Sequence, residues 1–298
     1  MSSTELICFG ELLWDVFPSG KVIGGAPYNI ANRANALGLH SSVITSIGKD
    51  AHGEELLTSI RATGIDTTFV QVHETLPTGV VKVSVGEEGE PTYDIVRPVA
   101  WDDVRVDQVV VNAVNASRAF IYSSLGLRDH RSCDALFSLL PYAPLKICDI
   151  NLREGHYKKQ TILKMMRHAD ILRTNENELS KVCEWLGLQQ LNRREQMKQL
   201  AEHYNYKLVL SSLGGEGAVC LQGDDFYVQP VYKVDVVDTV GAGDAFLATF
   251  VYSYLQGRDI PACLRMGCIL GALTASKKGG TPSITSEEIY DMLSKQQD

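Results

Sequence analysis

The sequence predicts an α/β fold, in which helices cover both faces of a mostly parallel central sheet and a small second β-sheet lies outside it. Two observations carry this prediction. Short apolar runs of strand length recur along the chain, and most are followed by a helical pattern, the alternation that builds right-handed βαβ units. One further region alternates apolar and polar residues with a period of two, which indicates half-buried antiparallel strands.

The strands and helices of the main fold can be placed from residue type. The expected buried strands are Leu6–Phe9, Ser42–Ile47, Ala119–Tyr122, Leu145–Cys148, Ile171–Leu172 and Leu208–Leu210. Pro27 suits the first position of the helix that follows the first strand, and Gly38 suits its end. Asp50 offers an N-cap to the next helix, which Gly64 closes. Further helices are expected near 129–140, 160–168 and 192–204.

The small sheet is expected where the period of two occurs. Val81, Val83 and Val85 alternate with polar residues, and the run Tyr93–Val96 follows them. Together with Leu12–Phe17, these residues predict a sheet outside the main one.

The last third of the chain is expected to hold a hairpin and three helices. Short strands near 218–221 and 226–228 flank a Gly-Asp-Asp turn, which is typical of a hairpin. One helix starts near Gly241 and a second follows Asp259. The pattern Thr285–Glu288 is a capping box and predicts the start of the third.

Composition excludes some classes of function. The 298 residues include 28 basic and 36 acidic side chains, and the formal net charge is −8. An acidic balance argues against sequence-independent nucleic-acid binding, which needs a basic face. It still permits phosphate ligands held by backbone amides, since these need no net positive charge.

The same composition predicts a cytoplasmic protein. No stretch is apolar enough to span a bilayer, so no membrane partner is expected, and the first residues lack the pattern of a secretion signal. The seven cysteines form no C-x-x-C pair, which is typical of reduced thiols. Because no repeat or linker interrupts the chain, we expect a single domain over 1–298.

The segment most informative about chemistry is Asp238–Phe246, which reads D-T-V-G-A-G-D-A-F at the start of a predicted helix. The small residues Gly241, Ala242 and Gly243 let the backbone close around a ligand. The first free amides of a helix, together with its dipole, form an anion hole suited to a transferring phosphoryl group. Asp244, at the same helix start, can accept a proton from an incoming hydroxyl. Taken alone, the pattern fits tight helix packing equally well.

A second glycine pair opens the first helix. Gly24 and Gly25 precede Asn29, and Asp15 lies a few residues before them. Backbone access beside an amide and a carboxylate suits a polyhydroxylated ligand. A helix start with Pro27 at its first position explains the same residues without any ligand.

These two segments resemble the two signatures of the PfkB/ribokinase family of carbohydrate kinases: Gly-Gly-Ala-Pro-x-Asn near the start and Asp-Thr-x-Gly-Ala-Gly-Asp near the end. The likeness extends over essentially the whole chain. It implies a ribokinase-like three-layer α/β/α sandwich whose small sheet, about 11–23 and 78–100, forms a lid over the sugar. It also implies a homodimer formed through the lid.

The resemblance further implies transfer of the ATP γ-phosphoryl group to a sugar hydroxyl with Mg²⁺. Asp244 would be the catalytic base, and the amides of 241–243 would form the anion hole, with Gly243 also contacting nucleotide. The sugar would bind Asp15, Gly24, Gly25 and Asn29. Asn175 and Glu178 match the N-x-x-E motif, which would organise phosphates and a magnesium-bound water. The nucleotide loop would include Ser212, Gly214, Glu216 and Gly217, and a K⁺ site would lie at Asp238 and the Val240 carbonyl.

Four segments indicate the subfamily. The run Asp149–Arg153 resembles the D-x-N-x-R of fructokinases and 2-keto-3-deoxygluconate kinases, and its Arg153 fork can reach phosphate or substrate oxygens. Gly10–Asp15, the full Gly-Gly-Ala-Pro-Tyr-Asn of 24–29 and Ala100–Asp102 resemble bacterial fructokinases. The expected reaction therefore converts D-fructose to fructose 6-phosphate.

Other functions stay open from the sequence. Within the class, the alternative substrate is 2-keto-3-deoxygluconate or another sugar of the family. A catalytically silent regulator that binds nucleotide or sugar is an alternative of a different class. A dinucleotide-dependent oxidoreductase is set aside because Gly10 is followed by Glu-Leu-Leu, where that class needs G-x-G-x-x-G.

Overall fold

The computed structural model describes residues 4–18, 20–85 and 91–294. The chain divides into two compact units, Met1–Pro144 and Leu145–Asp298. The single domain expected over 1–298 stays a prediction, and each unit is described by itself.

The first unit contains a parallel sheet and most of its predicted helices. Its elements are β1 Leu6–Phe9, β2 Leu13–Phe17, β3 Gly20–Gly24, α1 Ala26–Ala36, β4 Ser41–Gly48, α2 Ala51–Ala62, β5 Val70–His73, β6 Gly79–Val85, β7 Pro91–Ile95, α3 Gln108–Ala116, β8 Ala119–Ser123 and α4 His130–Leu139. Four strands pair in the order β8-β1-β4-β5, all parallel. Every residue of β1, β4 and β8 is buried, as expected for parallel strands covered on both faces.

The small sheet is present in this unit and has the order β3-β2-β6-β7. Val81 and Val83 are buried in an apolar cluster with Leu13 and Trp101, while Lys82 between them is exposed, so the period of two is confirmed. The expectation of antiparallel strands needs one correction, because β2 pairs with β6 in parallel. Residues 19 and 86–90, inside the ranges expected for the lid, lie outside the described residues.

A buried ion pair anchors the end of β7 to the rest of this unit. Arg128 donates through Nε and Nη2 to the two carboxylate oxygens of Asp102, at 2.7 and 2.8 Å. Its Nη2 also donates to the carbonyl of Val96 at 2.7 Å, just after β7. The guanidinium lies over the Trp101 ring, 3.8 Å from the centroid. Both charged side chains are almost fully buried, so the roles of this pair are structural.

The second unit contains the remaining strands and helices. Its elements are β9 Lys146–Asp149, α5 Lys159–Met166, β10 Ile171–Asn175, α6 Glu176–Leu186, α7 Arg193–Tyr204, β11 Leu208–Ser212, β12 Ala218–Gln222, β13 Asp225–Gln229, α8 Ala242–Leu255, α9 Ile260–Ala275 and α10 Ser286–Ser294. Strands β9, β10 and β11 are parallel neighbours, and β12 and β13 extend the sheet as the predicted antiparallel hairpin.

Hydrogen bonds confirm the predicted cap of α2 and the predicted start of α9. Asp50 accepts from the amide of Gly53 at the start of α2, and Asp259, which was expected only to precede a helix, caps α9 by accepting from the amide of Ala262, both at 2.8 Å. Thr285 and Glu288 form a reciprocal capping box before α10. Among the described residues, no helix combines the length and the apolar character that crossing a membrane requires.

Candidate active site

The start of α8 is built from residues that admit no larger side chain. Gly241 has φ +73°, and a Cβ there would overlap the backbone of Gly280, so both conformation and space require glycine. A Cβ on Gly243 would lie 2.5 Å from Nη2 of Arg173. The amide of Ala242 already donates to the Thr239 carbonyl at 3.3 Å. Of the three amides expected to form the anion hole, that of Ala242 is therefore engaged in a turn in the free protein.

Asp244 lies in the first turn of α8, at the third helical position, and is half-buried. A carboxylate at this position is stabilised as an anion by the helix dipole. The Asp244 carboxylate also interacts electrostatically with the Arg173 guanidinium. The predicted base and the predicted anion hole thus lie in one helical turn.

Asp238 fixes the loop that precedes α8. One carboxylate oxygen accepts from the amide of Val240 and the other from the amide of Gly279, both at 3.0 Å. The side chain therefore joins two loops of the second unit. Each oxygen keeps a second lone pair, so the carboxylate can still contact a cation beside the Val240 carbonyl.

Arg173 lies behind the start of α8 as part of a buried charge cluster. The guanidinium donates to Asp149 Oδ1 at 2.9 Å and to Ser212 Oγ at 3.2 Å. Asp149 is fully buried and Arg173 nearly so. Burial lowers the pKa of Arg173, but the neighbouring charges of Asp149 and Glu178 outweigh it and raise that pKa overall. The guanidinium is therefore a fixed positive charge.

Asn175 and Glu178 form a reciprocal capping box at the start of α6. The Asn175 side chain accepts from the Glu178 amide at 2.9 Å, and Glu178 Oε2 accepts from the Asn175 amide at 2.8 Å. Its Oε1 accepts from the amide of Leu152 at 3.0 Å. Burial raises the pKa of Glu178, opposed by the charge of Arg173. The N-x-x-E motif therefore fixes local backbone, whatever ligand it contacts.

The side chains of Asn175 and Glu178 fit a magnesium ion that is bound through substrate phosphates. Mg²⁺ is usually held by one or two carboxylates, several waters and the phosphates, with no all-protein cage. Each oxygen of Glu178 accepts one amide and so keeps a lone pair for a magnesium-bound water.

The predicted nucleotide loop follows β11. Gly214 and Gly217 have φ +54° and +105°, and a Cβ on Gly217 would overlap the carbonyl oxygen of Gln229. The exposed Glu216 lies between them, in a 3-10 turn. Ser212 ends β11 with its hydroxyl on Arg173. The loop is thus joined to the charge cluster behind α8.

In the first unit, the structure brings the predicted sugar residues together. A Cβ on Gly24 would overlap the Asp15 carboxylate, so this side chain lies against the glycine backbone. Gly25 has φ +112°, and its carbonyl accepts from the amide of Asn29 at 2.9 Å. The buried Glu11, which sequence reasoning missed, accepts from the amide of Ala26 at 3.1 Å. The backbone of Gly24 thus lies against a carboxylate, and Asn29 lies one helical turn further on.

Arg153 lies in the second unit, next to Leu152, whose amide donates to Glu178. It is exposed, and its guanidinium donates to the carbonyl of Leu152 at 3.1 Å.

Sequence reasoning missed Arg173, although the residues around it carry a signal. It lies two residues before the N-x-x-E motif, in the otherwise uncharged strand β10, and charged residues rarely occupy buried strands without a partner.

Comparisons with known proteins agree with the motifs. The pfkB family of carbohydrate kinases matches residues 3–287. The chain belongs to this family. Fructokinase-1 of Zea mays is 28% identical, over 97% of this chain and 98% of that protein. A 2-dehydro-3-deoxygalactonokinase of Haloferax volcanii is 24% identical, over 98% and 97%.

The fold is also found in solved structures. A fructokinase with bound ATP from Xylella fastidiosa has a TM-score of 0.86 and 21% identity, with 100% of both chains covered. This likeness confirms the predicted ribokinase-like fold. It concerns the fold alone, and the substrate of this chain is a separate question.

Proposed function

We propose that the protein transfers the γ-phosphoryl group of ATP to a primary hydroxyl of a ketose, with D-fructose as its substrate and fructose 6-phosphate as the product. The observation that carries the proposal is the position of Asp244. This carboxylate lies in the same helical turn as Gly243, at the positive end of a 14-residue helix. A proton acceptor beside an anion site is what phosphoryl transfer to a hydroxyl needs.

In this mechanism, Asp244 accepts the proton of the sugar hydroxyl as its oxygen attacks the γ-phosphorus. The new O–P bond forms while the bond to the departing ADP oxygen breaks. The outward amides at the start of α8 stabilise the charge on the transferring group, and Gly241 and Ala242 hold the backbone in the required conformation. Catalysis then depends mainly on positioning and charge stabilisation.

The remaining nucleotide contacts are assigned to the second unit. Ser212, Gly214, Glu216 and Gly217 line the path of the nucleotide. Asn175 and Glu178 hold the water shell of Mg²⁺, which supplies charge neutralisation of the phosphates when bound. A monovalent cation, K⁺, would take Asp238 and the Val240 carbonyl.

The sugar contacts are assigned to the first unit. The Asp15 carboxylate and the Asn29 amide bind sugar hydroxyls, and the Gly24–Gly25 backbone lets the sugar approach closely. Arg153, exposed in the free protein, reaches a substrate oxygen. Support for fructose comes from the fructokinase relatives and from the Gly10–Asp15 segment, which resembles bacterial fructokinases and contains Asp15.

We also propose that two copies of the chain associate through their small sheets. Strands β3 and β7 are the edges of that sheet, and Val22 and Tyr93 on them are 43% and 51% exposed. Exposed apolar side chains beside unpaired edges favour pairing with another chain. The cytoplasmic location remains a prediction from the sequence.

A screen of ATP consumption tests the substrate. The panel contains fructose, ribose, 2-keto-3-deoxygluconate and adenosine, and fructose is expected to give the highest kcat/KM. A tenfold preference for ribose or adenosine, about 1.4 kcal/mol of discrimination, would overturn the fructose assignment.

The second candidate substrate is 2-keto-3-deoxygluconate, favoured by the Asp149–Arg153 run and by the similarity to a 2-dehydro-3-deoxygalactonokinase. A highest kcat/KM for that acid would establish it. ATP binding without turnover of any sugar would instead favour the silent regulator.

A further inference from the structure

The charge cluster behind α8 contains more carboxylates than cations. Arg173 interacts electrostatically with Asp149, Glu178 and Asp244. Asp149 and Glu178 are buried with it, where water screens their charges poorly. Phosphate groups carry further negative charge, so this region would repel a polyphosphate if its cation were lost.

Arg173 is held where its charge can act on the start of α8. Two hydrogen bonds fix its guanidinium, one to Asp149 and one to Ser212 of the predicted nucleotide loop. The space beside the Gly243 backbone, where a Cβ would be 2.5 Å away, is filled by its Nη2. Its Nε has no hydrogen-bond partner among the described residues. This guanidinium therefore joins the two loops that are expected to hold the nucleotide.

We propose that Arg173 is a positioning residue for phosphoryl transfer, which sets the electrostatic potential at the start of α8 by compensating the three carboxylates and which supports the backbone of Gly243. This inference rests on the proposed function. The Arg173 guanidinium is engaged with Asp149, Ser212 and the Gly243 backbone, so its effect on the phosphates is exerted through charge and through loop position. Glycine at 243 is then required because the guanidinium occupies the place of a side chain.

The proposal is tested by how ligand affinity depends on phosphate number. Dissociation constants for adenosine, ADP and ATP, the nucleotides with Mg²⁺, are measured by calorimetry on the wild type, Arg173→Met and Arg173→Lys. Loss of the charge in Arg173→Met should weaken the binding of ATP by about tenfold or more, that of ADP by less and that of adenosine hardly at all. Lysine keeps the charge and should restore most of the ATP affinity, although its compact ammonium does not reproduce the planar fork of the guanidinium.

A matched control comes from the other buried ion pair. Arg128→Met removes an equally buried arginine from its aspartate in the first unit, so it should lower stability and leave the ATP-to-adenosine affinity ratio unchanged. If Arg173→Met does not fold, the double variant Asp149→Asn/Arg173→Met removes the ion pair as a unit. Its loss of ATP affinity should be smaller than that of Arg173→Met but still larger than its loss of adenosine affinity.

The decisive outcome is the pattern across the three ligands. An equal loss for adenosine, ADP and ATP, in whichever of these charge-removing variants folds, would show a purely structural role and overturn the proposal. Wild-type protein that binds ATP but phosphorylates no sugar would overturn the proposed function and leave the effect of Arg173 on phosphate binding intact. The two failures are therefore distinguishable.

Discussion

Replacing Asp244 by asparagine separates catalysis from folding. Asparagine keeps the size of the side chain, but it neither accepts a proton nor carries the charge that orients an attacking hydroxyl. A positioned general base contributes about 10²–10⁴-fold to rate. We expect Asp244→Asn to lower kcat by at least about a hundredfold, equivalent to about 2.7 kcal/mol of transition-state stabilisation.

The structure allows only a small cost in stability for the same change. Gly241, and not Asp244, is the N-cap residue of α8, and asparagine keeps an acceptor oxygen in its side chain. What is lost is a favourable charge in the first turn, worth about 0.3–1 kcal/mol, and its attraction to Arg173. Domains are typically stable by about 5–15 kcal/mol, so the variant should fold.

The assay combines steady-state kinetics with calorimetric binding of ATP and sugar. The sugar dissociation constant should stay close to wild type, because the proposed sugar-binding groups lie elsewhere. ATP should bind at least as tightly as in the wild type, because one of the three carboxylates beside Arg173 is neutralised. Glu54→Gln is the matched control, since Glu54 is an exposed carboxylate in the first turn of α2, and it should change neither kcat nor affinity. A folded Asp244→Asn enzyme with more than a tenth of the wild-type kcat would refute the mechanism.

Three further predictions concern the framework of the site and the assembly. Gly241→Ala should lower the free energy of unfolding by at least about 1–3 kcal/mol in urea, because alanine is strained at φ +73° and its Cβ would overlap the Gly280 backbone. Unchanged stability and activity would contradict the described conformation of the α8 start. Arg128→Met should lower the free energy of unfolding by about 3–5 kcal/mol, because it leaves Asp102 buried without its cationic partner. A loss below about 1 kcal/mol in the same assay would contradict this prediction. Light scattering should give the mass of a dimer for the wild type and of a monomer for Tyr93→Asp; a monomeric wild type at all assay concentrations would refute the proposed association.

Much of the fold follows from local sequence. Strand β1 is wholly apolar, and β4 places Val43, Ile44 and Ile47 among small residues. The helix caps at Asp50 and Asp259 depend on short-range hydrogen bonds. Elements without such signals were missed. Strand β5, Val70–His73, is short and alternates apolar with polar residues at the edge of its sheet.

The missed contributions to the site depend on contacts between distant parts of the chain. Arg173 on β10 meets Gly243 on α8, and Glu11 meets the start of α1. No period or spacing relates these residues, since each contact arises only when the strands have formed their sheet. The glycine motif could be recognised from its local sequence. The Arg173 guanidinium, which leaves no room for a side chain at Gly243, could not.

The start of α8 is therefore constrained from several sides at once. The Gly280 backbone closes on Gly241, Asp238 fixes the preceding loop, and Arg173 fills the space behind Gly243. Groups held this firmly need little rearrangement when charge develops on a bound phosphoryl group, and preorganisation of that kind is a main source of catalytic power. It follows that substitutions at Asp238 or Arg173 should affect phosphate binding even though neither side chain supplies the outward amides.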